Sequence, residues 1–201
     1  MQLYSALDCV HCHQIRMVLA EKGISVDLIF PEKDNKASDD LAELNPYADT
    51  PTLVDRDVKL YGPDVILSYL DERYPHPPLM PIDPISRARL RLVHYRIQRD
   101  WYSIVDQIVV TKPEKAKSRL VRELRESITA ADDMFGVSKF LLNEELSLVD
   151  CHLVPFLWRL PKLGVNISRN ASHVQTYANR MFERAAFRTS LTAAEKQLAI
   201  V

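Results

Sequence analysis

What this 201-residue sequence lacks excludes several classes of protein. It has no uninterrupted apolar run near the roughly 18 residues that mark a membrane helix. Residues 1–5 contain no basic segment leading into an apolar one, which argues against a secretory signal. The three cysteines are odd in number and do not form a secreted disulfide framework. We therefore expect a cytoplasmic protein with no membrane partner.

Glycine and net charge are also scarce. The four glycines, at 23, 62, 136 and 164, are scattered, so neither a P-loop nor a dinucleotide fingerprint is present. The formal net charge is −1, which is not the cationic field of a nucleic-acid binder, and we expect no direct sequence-specific contact with nucleic acid. With 47% hydrophobic and 26% charged residues, the composition is that of a globular protein with a real core.

The charge is divided unevenly along the chain. Residues 1–78 carry −7 and residues 79–201 carry +6. The division falls in a proline-rich segment, which should be stiff and non-helical because proline fixes φ and lacks an N–H. We therefore predict two domains, 1–78 and 79–201. The opposite charges would favour packing of one half on the other, within a chain or across a dimer, or they are simply two solvated surfaces.

The secondary-structure pattern changes at the same boundary. Before residue 75 the order is βαβ followed by αββα, which predicts an α/β domain of the thioredoxin-like type. After residue 84 only helical periods occur, which predicts an all-α second domain. Within it, Ser147 and Asp150 have the spacing of a capping box at the start of an apolar helix.

Cys9 and Cys12 lie between the first predicted strand and the first predicted helix. A helix N-terminus stabilises a thiolate, and a residue three positions on shares the same face, so the pair has the placement of a redox dithiol. The acidic character of residues 1–78 disfavours a thiolate, and inert packing cysteines are the alternative. Metal binding with His11 and His13 would require a second Cys/His cluster, and the sequence has none. We therefore predict no metal site.

Two proline motifs admit a functional and a structural interpretation. Thr50-Pro51 precedes a strand, and in a thioredoxin-like domain this proline is expected to be cis, which leaves the Thr50 backbone free to pair with an extended ligand. An ordinary trans proline at a strand start is the alternative. Pro75, His76 and Pro77 form either a pre-ordered docking surface or a linker between the domains.

Several long segments of the sequence resemble a known family. They are residues 13–23, 51–56, 69–81, 99–102, 147–151 and 157–161. Together with the thioredoxin-like half, Thr50-Pro51 and the cap at Ser147, they resemble the glutathione S-transferase fold over essentially the whole chain. Within that fold, the sequence is most similar to the stringent starvation protein A family of proteobacteria.

This resemblance implies a binding protein rather than a catalyst. Members of the family are homodimers that associate with RNA polymerase holoenzyme, regulate transcription under stress, and lack transferase activity and a cofactor. Their functional surface includes a Pro-His-Pro segment, which corresponds here to Pro75, His76 and Pro77. The alternative that the transferase fold implies is a glutathione-dependent thiol transferase or oxidoreductase that uses Cys9 and Cys12, with Thr50-Pro51 holding the peptide.

One departure from the transferase pattern bears on this alternative. Glutathione transferases carry an acidic residue and a serine between the fourth strand and the third helix, where they bind the γ-glutamyl end of glutathione. This chain has Gly62-Pro63 at those positions. Glycine offers no side chain and proline no N–H, so the resemblance implies a poorly supplied glutathione subsite.

Overall fold

The computed structural model describes residues 1–200, apart from the side chains of 199 and 200, and within them the chain forms two compact units. The first unit comprises Met1–Pro78 and Arg184–Ile200, and the second comprises Leu79–Glu183. The sequence-based division also falls after residue 78, but it assigns residues 184–200 to the helical domain, whereas the structure groups them with the first unit. Residue 201 lies outside the described residues.

The secondary structure consists of short strands followed by helices. Its strands and helices are, in chain order, β1 Gln2–Tyr4, α1 Val10–Glu21, β2 Asp27–Ile29, α2 Asn35–Leu44, β3 Thr52–Asp55, β4 Val58–Tyr61, α3 Pro63–Arg73, α4 Pro84–Ile97, α5 Ser103–Val110, α6 Glu114–Ala130, α7 Asp132–Gly136, α8 Leu148–Arg159, α9 Ser172–Phe182, α10 Ala185–Ser190 and α11 Ala193–Lys196. A π-helical turn, Gln98–Tyr102, joins α4 to α5, and short 3₁₀ turns occur at Pro31–Lys33, Pro161–Leu163 and Gln197–Ile200.

The sheet of the first unit has the strand order β2-β1-β3-β4. β1 runs parallel to β2 and antiparallel to β3, and β3 pairs with β4 as a hairpin. Leu3 faces Leu53 across the β1–β3 pair, and both side chains are fully buried. This arrangement confirms the predicted thioredoxin-like α/β fold of residues 1–78.

Residues 184–200 join the first unit through buried polar contacts with α1. The Arg16 guanidinium donates to both carboxylate oxygens of Glu195, at 2.7 and 2.6 Å, and Glu195 is fully buried. Arg16 Nε also donates to the Ser190 carbonyl at 2.8 Å, and a His13 ring nitrogen lies 2.9 Å from the Ser190 hydroxyl. Phe187 is buried beside the His13 ring. These long-range contacts explain why the last helices do not belong to the second unit.

The second unit is helical throughout, as predicted, apart from an isolated bridge between Phe140 and Asn143. The predicted capping box forms at the start of α8, where the Asp150 carboxylate accepts from the backbone N–H and the hydroxyl of Ser147, both at 2.8 Å. It also accepts from Leu141 N–H and the Tyr177 hydroxyl. Burial raises the pKa of Asp150, although these donors act in the opposite direction. Among the described residues, no helix is long and apolar enough to cross a membrane.

Candidate functional site

The segment that follows α3, at the end of Met1–Pro78, is the first candidate site. We call residues 74–78 the proline ribbon. Pro75, His76 and Pro77 are all exposed, and the peptide bond between His76 and Pro77 is cis. The ribbon begins at Tyr74, the C-cap residue of α3, whose N–H still bonds to the Leu70 carbonyl. The exposed residues therefore follow directly from a helix end that is part of the folded core.

A buried lysine holds the proline ribbon in place. Lys22 Nζ donates to the Tyr74 carbonyl at 2.7 Å and to the Pro77 carbonyl at 2.7 Å, and it forms an ion pair with Asp71 Oδ1 at 2.8 Å. The Lys22 side chain has no exposed surface, and Asp71 is 12% exposed. An ammonium group has three donors, so all of its hydrogen-bonding capacity is used here. Both ends of the Pro-His-Pro segment are thereby fixed to one atom.

The local sequence explains why a lysine stands at this position. Lys22 is the C-cap residue of α1, and the chain leaves the helix through Gly23, which has a φ of 63°. The lysine reaches the C-terminal end of α3, where Asp71 and the Tyr74 carbonyl place negative charge. A cation is favourable at the end of a helix, and a carboxylate in the last turn needs such a partner. Lys22 therefore supplies a favourable positive charge at the C-terminal ends of both α1 and α3.

The two predicted cysteines meet at the other end of α1. Cys9 is the N-cap residue, and its sulfur accepts the Cys12 N–H at 3.3 Å. Cys12 is fully buried and accepts the Ala6 N–H at 3.4 Å, whereas Cys9 is only half-buried. The structure therefore brings the pair together at a helix N-terminus, as its sequence position indicates.

The two thiols differ in acidity, and the more buried one is the more acidic. The Cys9 thiol donates to the Cys12 sulfur, which lowers the pKa of Cys12 to about 6 despite its burial, and Thr50, Ala6 and Arg16 contribute further to this lowering. The same hydrogen bond and burial raise the pKa of Cys9. The proton of the pair therefore stays on the outer sulfur, and the negative charge on the inner one.

Thr50-Pro51 lies beside this cysteine pair. The peptide bond between the two residues is cis, which confirms the expectation for a thioredoxin-like domain. The Thr50 side chain is hydrogen-bonded to the Cys12 sulfur, and Pro51 is buried at the start of β3. The structure thus assembles the four residues of the predicted thiol site, Cys9, Cys12, Thr50 and Pro51, in one place.

The start of α3 is poorly equipped to hold an anionic ligand. Gly62 is the N-cap residue, with a φ of 83° and no side-chain cap, and Pro63 occupies the first turn without an N–H. The first turn also carries the acidic Asp64. These features oppose the binding of a carboxylate, which a helix N-terminus would otherwise favour.

Within residues 1–200, the second unit contains one group of side chains close enough to share a metal ion, Asp132, Asp133 and His173. The Asp132 carboxylate accepts from Val174 N–H at 2.8 Å and lies 2.9 Å from a His173 ring nitrogen. These bonds tie α7 to the start of α9, and a structural role accounts for the group.

Comparisons with known proteins agree with this geometry. The family model for the N-terminal domain of glutathione S-transferases matches residues 3–78, and that for the C-terminal domain matches residues 85–185. A stringent starvation protein A homolog from Coxiella burnetii is 46% identical over 98% of this chain and 94% of its own length. One from Haemophilus influenzae is 42% identical over 98% and 93%. The chain belongs to the stringent starvation protein A family.

Solved structures show the same fold in more distant proteins. A Tau class glutathione S-transferase from mango superposes with a TM-score of 0.83 at 24% identity, over 99% of this chain and 95% of that one. Ure2p in complex with glutathione superposes with a TM-score of 0.80 at 18% identity, over 94% and 91%. The chain thus has the glutathione S-transferase fold, as its sequence predicts.

Within this member of the stringent starvation protein A family, the sequence identifies the ribbon and the thiol pair but not the lysine that fixes the ribbon. Lys22 stands in a recognisable Glu21-Lys22-Gly23 segment, yet a lysine beside a helix-ending glycine is usually solvated. Its partners include two backbone carbonyls, which carry no signal in a sequence. The signal for a cationic partner is Asp71, because a carboxylate in the last turn of a helix is unfavourable unless a cation lies beside it.

Proposed function

We propose that this protein is a non-catalytic regulator of the stress and starvation response that associates with RNA polymerase holoenzyme in the cytoplasm. The names of its relatives, stringent starvation protein A homologs, support the stress role, and the polymerase partner comes from the family resemblance. The docking surface is the proline ribbon, with Pro75, His76 and Pro77 as the contacting residues. The observation that carries this assignment is the exposed ribbon whose ends are held by the buried Lys22.

A ribbon held in this way suits protein docking for a thermodynamic reason. A flexible loop loses conformational freedom when a partner binds it, which costs about 0.5–1.5 kcal/mol per immobilised side chain. Pro75 and Pro77 have fixed φ angles, and Lys22 holds the carbonyls on either side of them. Little ordering therefore remains to be done on binding. His76 adds a polar ring between the two apolar proline rings, so the surface can form a directional hydrogen bond as well as apolar contacts.

The residues at the start of α3 disfavour a glutathione-dependent enzyme. Glutathione has a charged γ-glutamyl end, and the start of α3 offers it neither a side chain at Gly62 nor an N–H at Pro63. Asp64 in the first turn adds repulsion for a carboxylate. Cys9 and Cys12 lie together, but the start of α3 lacks the groups that would bind the γ-glutamyl end of glutathione.

We also propose that the protein is a homodimer. The acidic first half and basic second half of the sequence support pairing of unlike surfaces between two copies. Three large apolar residues of α4, Ile85, Leu92 and Tyr95, are more than half exposed, and such side chains favour an interface. Light scattering at micromolar concentration should give twice the mass of one chain, and a monomer mass would contradict the proposal.

The docking surface is tested by replacing Pro75, His76 and Pro77 together with alanine. The wild-type protein should co-elute with RNA polymerase holoenzyme, and the triple variant should not, while its circular dichroism spectrum stays unchanged. A matched control replaces the exposed Lys112 and Pro113 of the second unit with alanine and should bind normally. Normal binding by the triple variant would show that the ribbon is not the docking surface.

A further inference from the structure

The start of α1 holds two thiols in direct contact. Cys9 and Cys12 are three residues apart, the spacing that places two side chains on one face of a helix. The Cys12 N–H donates to the Cys9 sulfur at 3.3 Å, and the interaction of the Cys9 thiol with the Cys12 sulfur is the largest cause of the lowered pKa of Cys12. A disulfide needs Cα atoms roughly 4.4–6.8 Å apart, and residues at this spacing in a helical turn meet that requirement. No large backbone movement is needed to join them.

The surroundings of Cys12 favour its thiolate form. Its sulfur receives hydrogen bonds from Cys9, from Thr50 and from Ala6 N–H, and the Arg16 guanidinium lies nearby. The pKa of Cys12 is lowered to about 6, so the thiolate form is favoured at neutral pH. Arg16 contributes least of these groups, and its charge is shared with Glu195 through two hydrogen bonds. The thiolate is therefore stabilised by hydrogen bonds, even though residues 1–78 are acidic.

The two thiols differ in access. Cys12 has no exposed surface, whereas Cys9 is half-buried at the start of the helix. A small molecule in solution can therefore reach Cys9, whereas Cys12 is shielded from it. The outer thiol holds the proton of the pair and the inner one holds the negative charge. Cys9 must pass its proton to Cys12, against this difference in acidity, before it can act as the nucleophile.

We propose that Cys9 and Cys12 form a thiol–disulfide exchange site, which low-molecular-weight disulfides convert to an internal disulfide. The proposal rests on the contact between the sulfurs and on the unequal access to them. It is independent of the docking function of the proline ribbon. It requires no binding site for the γ-glutamyl end of glutathione, because any small disulfide that reaches Cys9 is a substrate.

The exchange balances in two steps. Cys9 passes its proton to the Cys12 thiolate and attacks one sulfur of the small disulfide, whose S–S bond breaks and releases a thiolate. Cys12 then gives its proton to that thiolate and attacks the Cys9 sulfur, which breaks the mixed disulfide and releases a second thiolate. The protein loses two electrons and the small disulfide gains them. The products are the Cys9–Cys12 disulfide, one small thiol and one small thiolate.

The test uses the full-length protein with glutathione disulfide as the probe. After incubation, free thiols are counted by maleimide labelling under denaturing conditions and by intact mass. The protein has three cysteines, none of them in a disulfide, so the count should fall from three to one with the loss of two hydrogens. The remaining thiol should be the buried Cys151. A count that stays at three in excess glutathione disulfide would overturn the proposal.

Three variants assign the roles. Cys12→Ser should stop at a glutathione adduct on Cys9, and Cys9→Ser should react at least ten-fold more slowly than the wild type. Cys151→Ser is the matched control and should lose both remaining thiols at the wild-type rate. Reaction of Cys9→Ser at the wild-type rate would contradict the assigned order of attack.

The pH profile of the wild type provides a test that does not depend on the folding of any variant. The oxidation rate should rise with a midpoint near pH 6, where the pair first loses a proton. A midpoint near the ordinary cysteine value of about 8.5 would show that the contact between the two thiols does not activate them, and it would overturn the proposal.

Discussion

Replacing Lys22 with methionine should destabilise the first unit and release the proline ribbon. Methionine preserves most of the buried apolar chain and removes the ammonium, so Asp71 loses its ion pair and the carbonyls of Tyr74 and Pro77 lose their donor. Removing one member of a buried ion pair costs about 3–5 kcal/mol. Asp71 is 12% exposed and the Pro77 carbonyl is near solvent, so we expect the lower end of that range.

The measurement is urea unfolding followed by circular dichroism. Tryptophan fluorescence is unsuitable, because Trp101 and Trp158 both lie in the second unit. Lys36→Met is the matched control, since Lys36 is an exposed lysine of the same unit and its loss should change the free energy of unfolding by less than about 0.5 kcal/mol. Equal stability of the two variants would refute the assigned role of Lys22.

A double variant separates stability from positioning. Lys22→Met combined with Asp71→Leu removes both buried charges, so much of the lost stability should return. The carbonyls of Tyr74 and Pro77 would still lack their donor, so the ribbon should remain loose and bind RNA polymerase weakly. If the double variant binds as tightly as the wild type while the triple alanine variant does not, the ribbon docks without help from Lys22.

Three further changes test the contacts and backbone conformation inside each of the two units. Arg16→Leu should lower the free energy of unfolding by about 3–5 kcal/mol in the urea assay, because it removes the buried guanidinium that donates to both carboxylate oxygens of Glu195, and adding Glu195→Leu should restore much of the loss. Asp150→Ala leaves Leu141 N–H and other buried donors unpaired, so tryptophan fluorescence should report a loss of at least about 3 kcal/mol in the second unit. Gly164→Ala should cost only about 1–2 kcal/mol, measured in the same way, because the φ of 75° disfavours a side chain but nothing lies within 4 Å of the added atom.

The elements that follow from local signals were predictable from the sequence. The apolar spacing of α1 and its end at Gly23 indicate a buried helix, and Ser147 with Asp150 indicates a helix start, because the hydrogen bonds concerned join residues three or four positions apart. The exposure of Pro75, His76 and Pro77 likewise agrees with a segment that cannot join a helix.

The position of residues 184–200 depends on contacts that local patterns do not encode. Glu195 lies 179 residues from Arg16, and both residue types are almost always exposed unless they are paired. The short helix that carries Glu195 predicts nothing about the surface it covers. The contact exists only once α1 has presented Arg16 on its buried face.

Buried cations on α1 fix the two segments whose positions the sequence leaves open. Arg16 holds residues 190–195 and Lys22 holds the proline ribbon. Burying a charge has a large desolvation cost, and replacing such a pair with apolar residues is often neutral for stability. Lys22 suits its site because its three donors match one carboxylate and two carbonyls, whereas the planar fork of arginine is built for bidentate carboxylate recognition, as at Glu195. The exchange of these two cations should therefore displace both segments, even though the charge of α1 is unchanged.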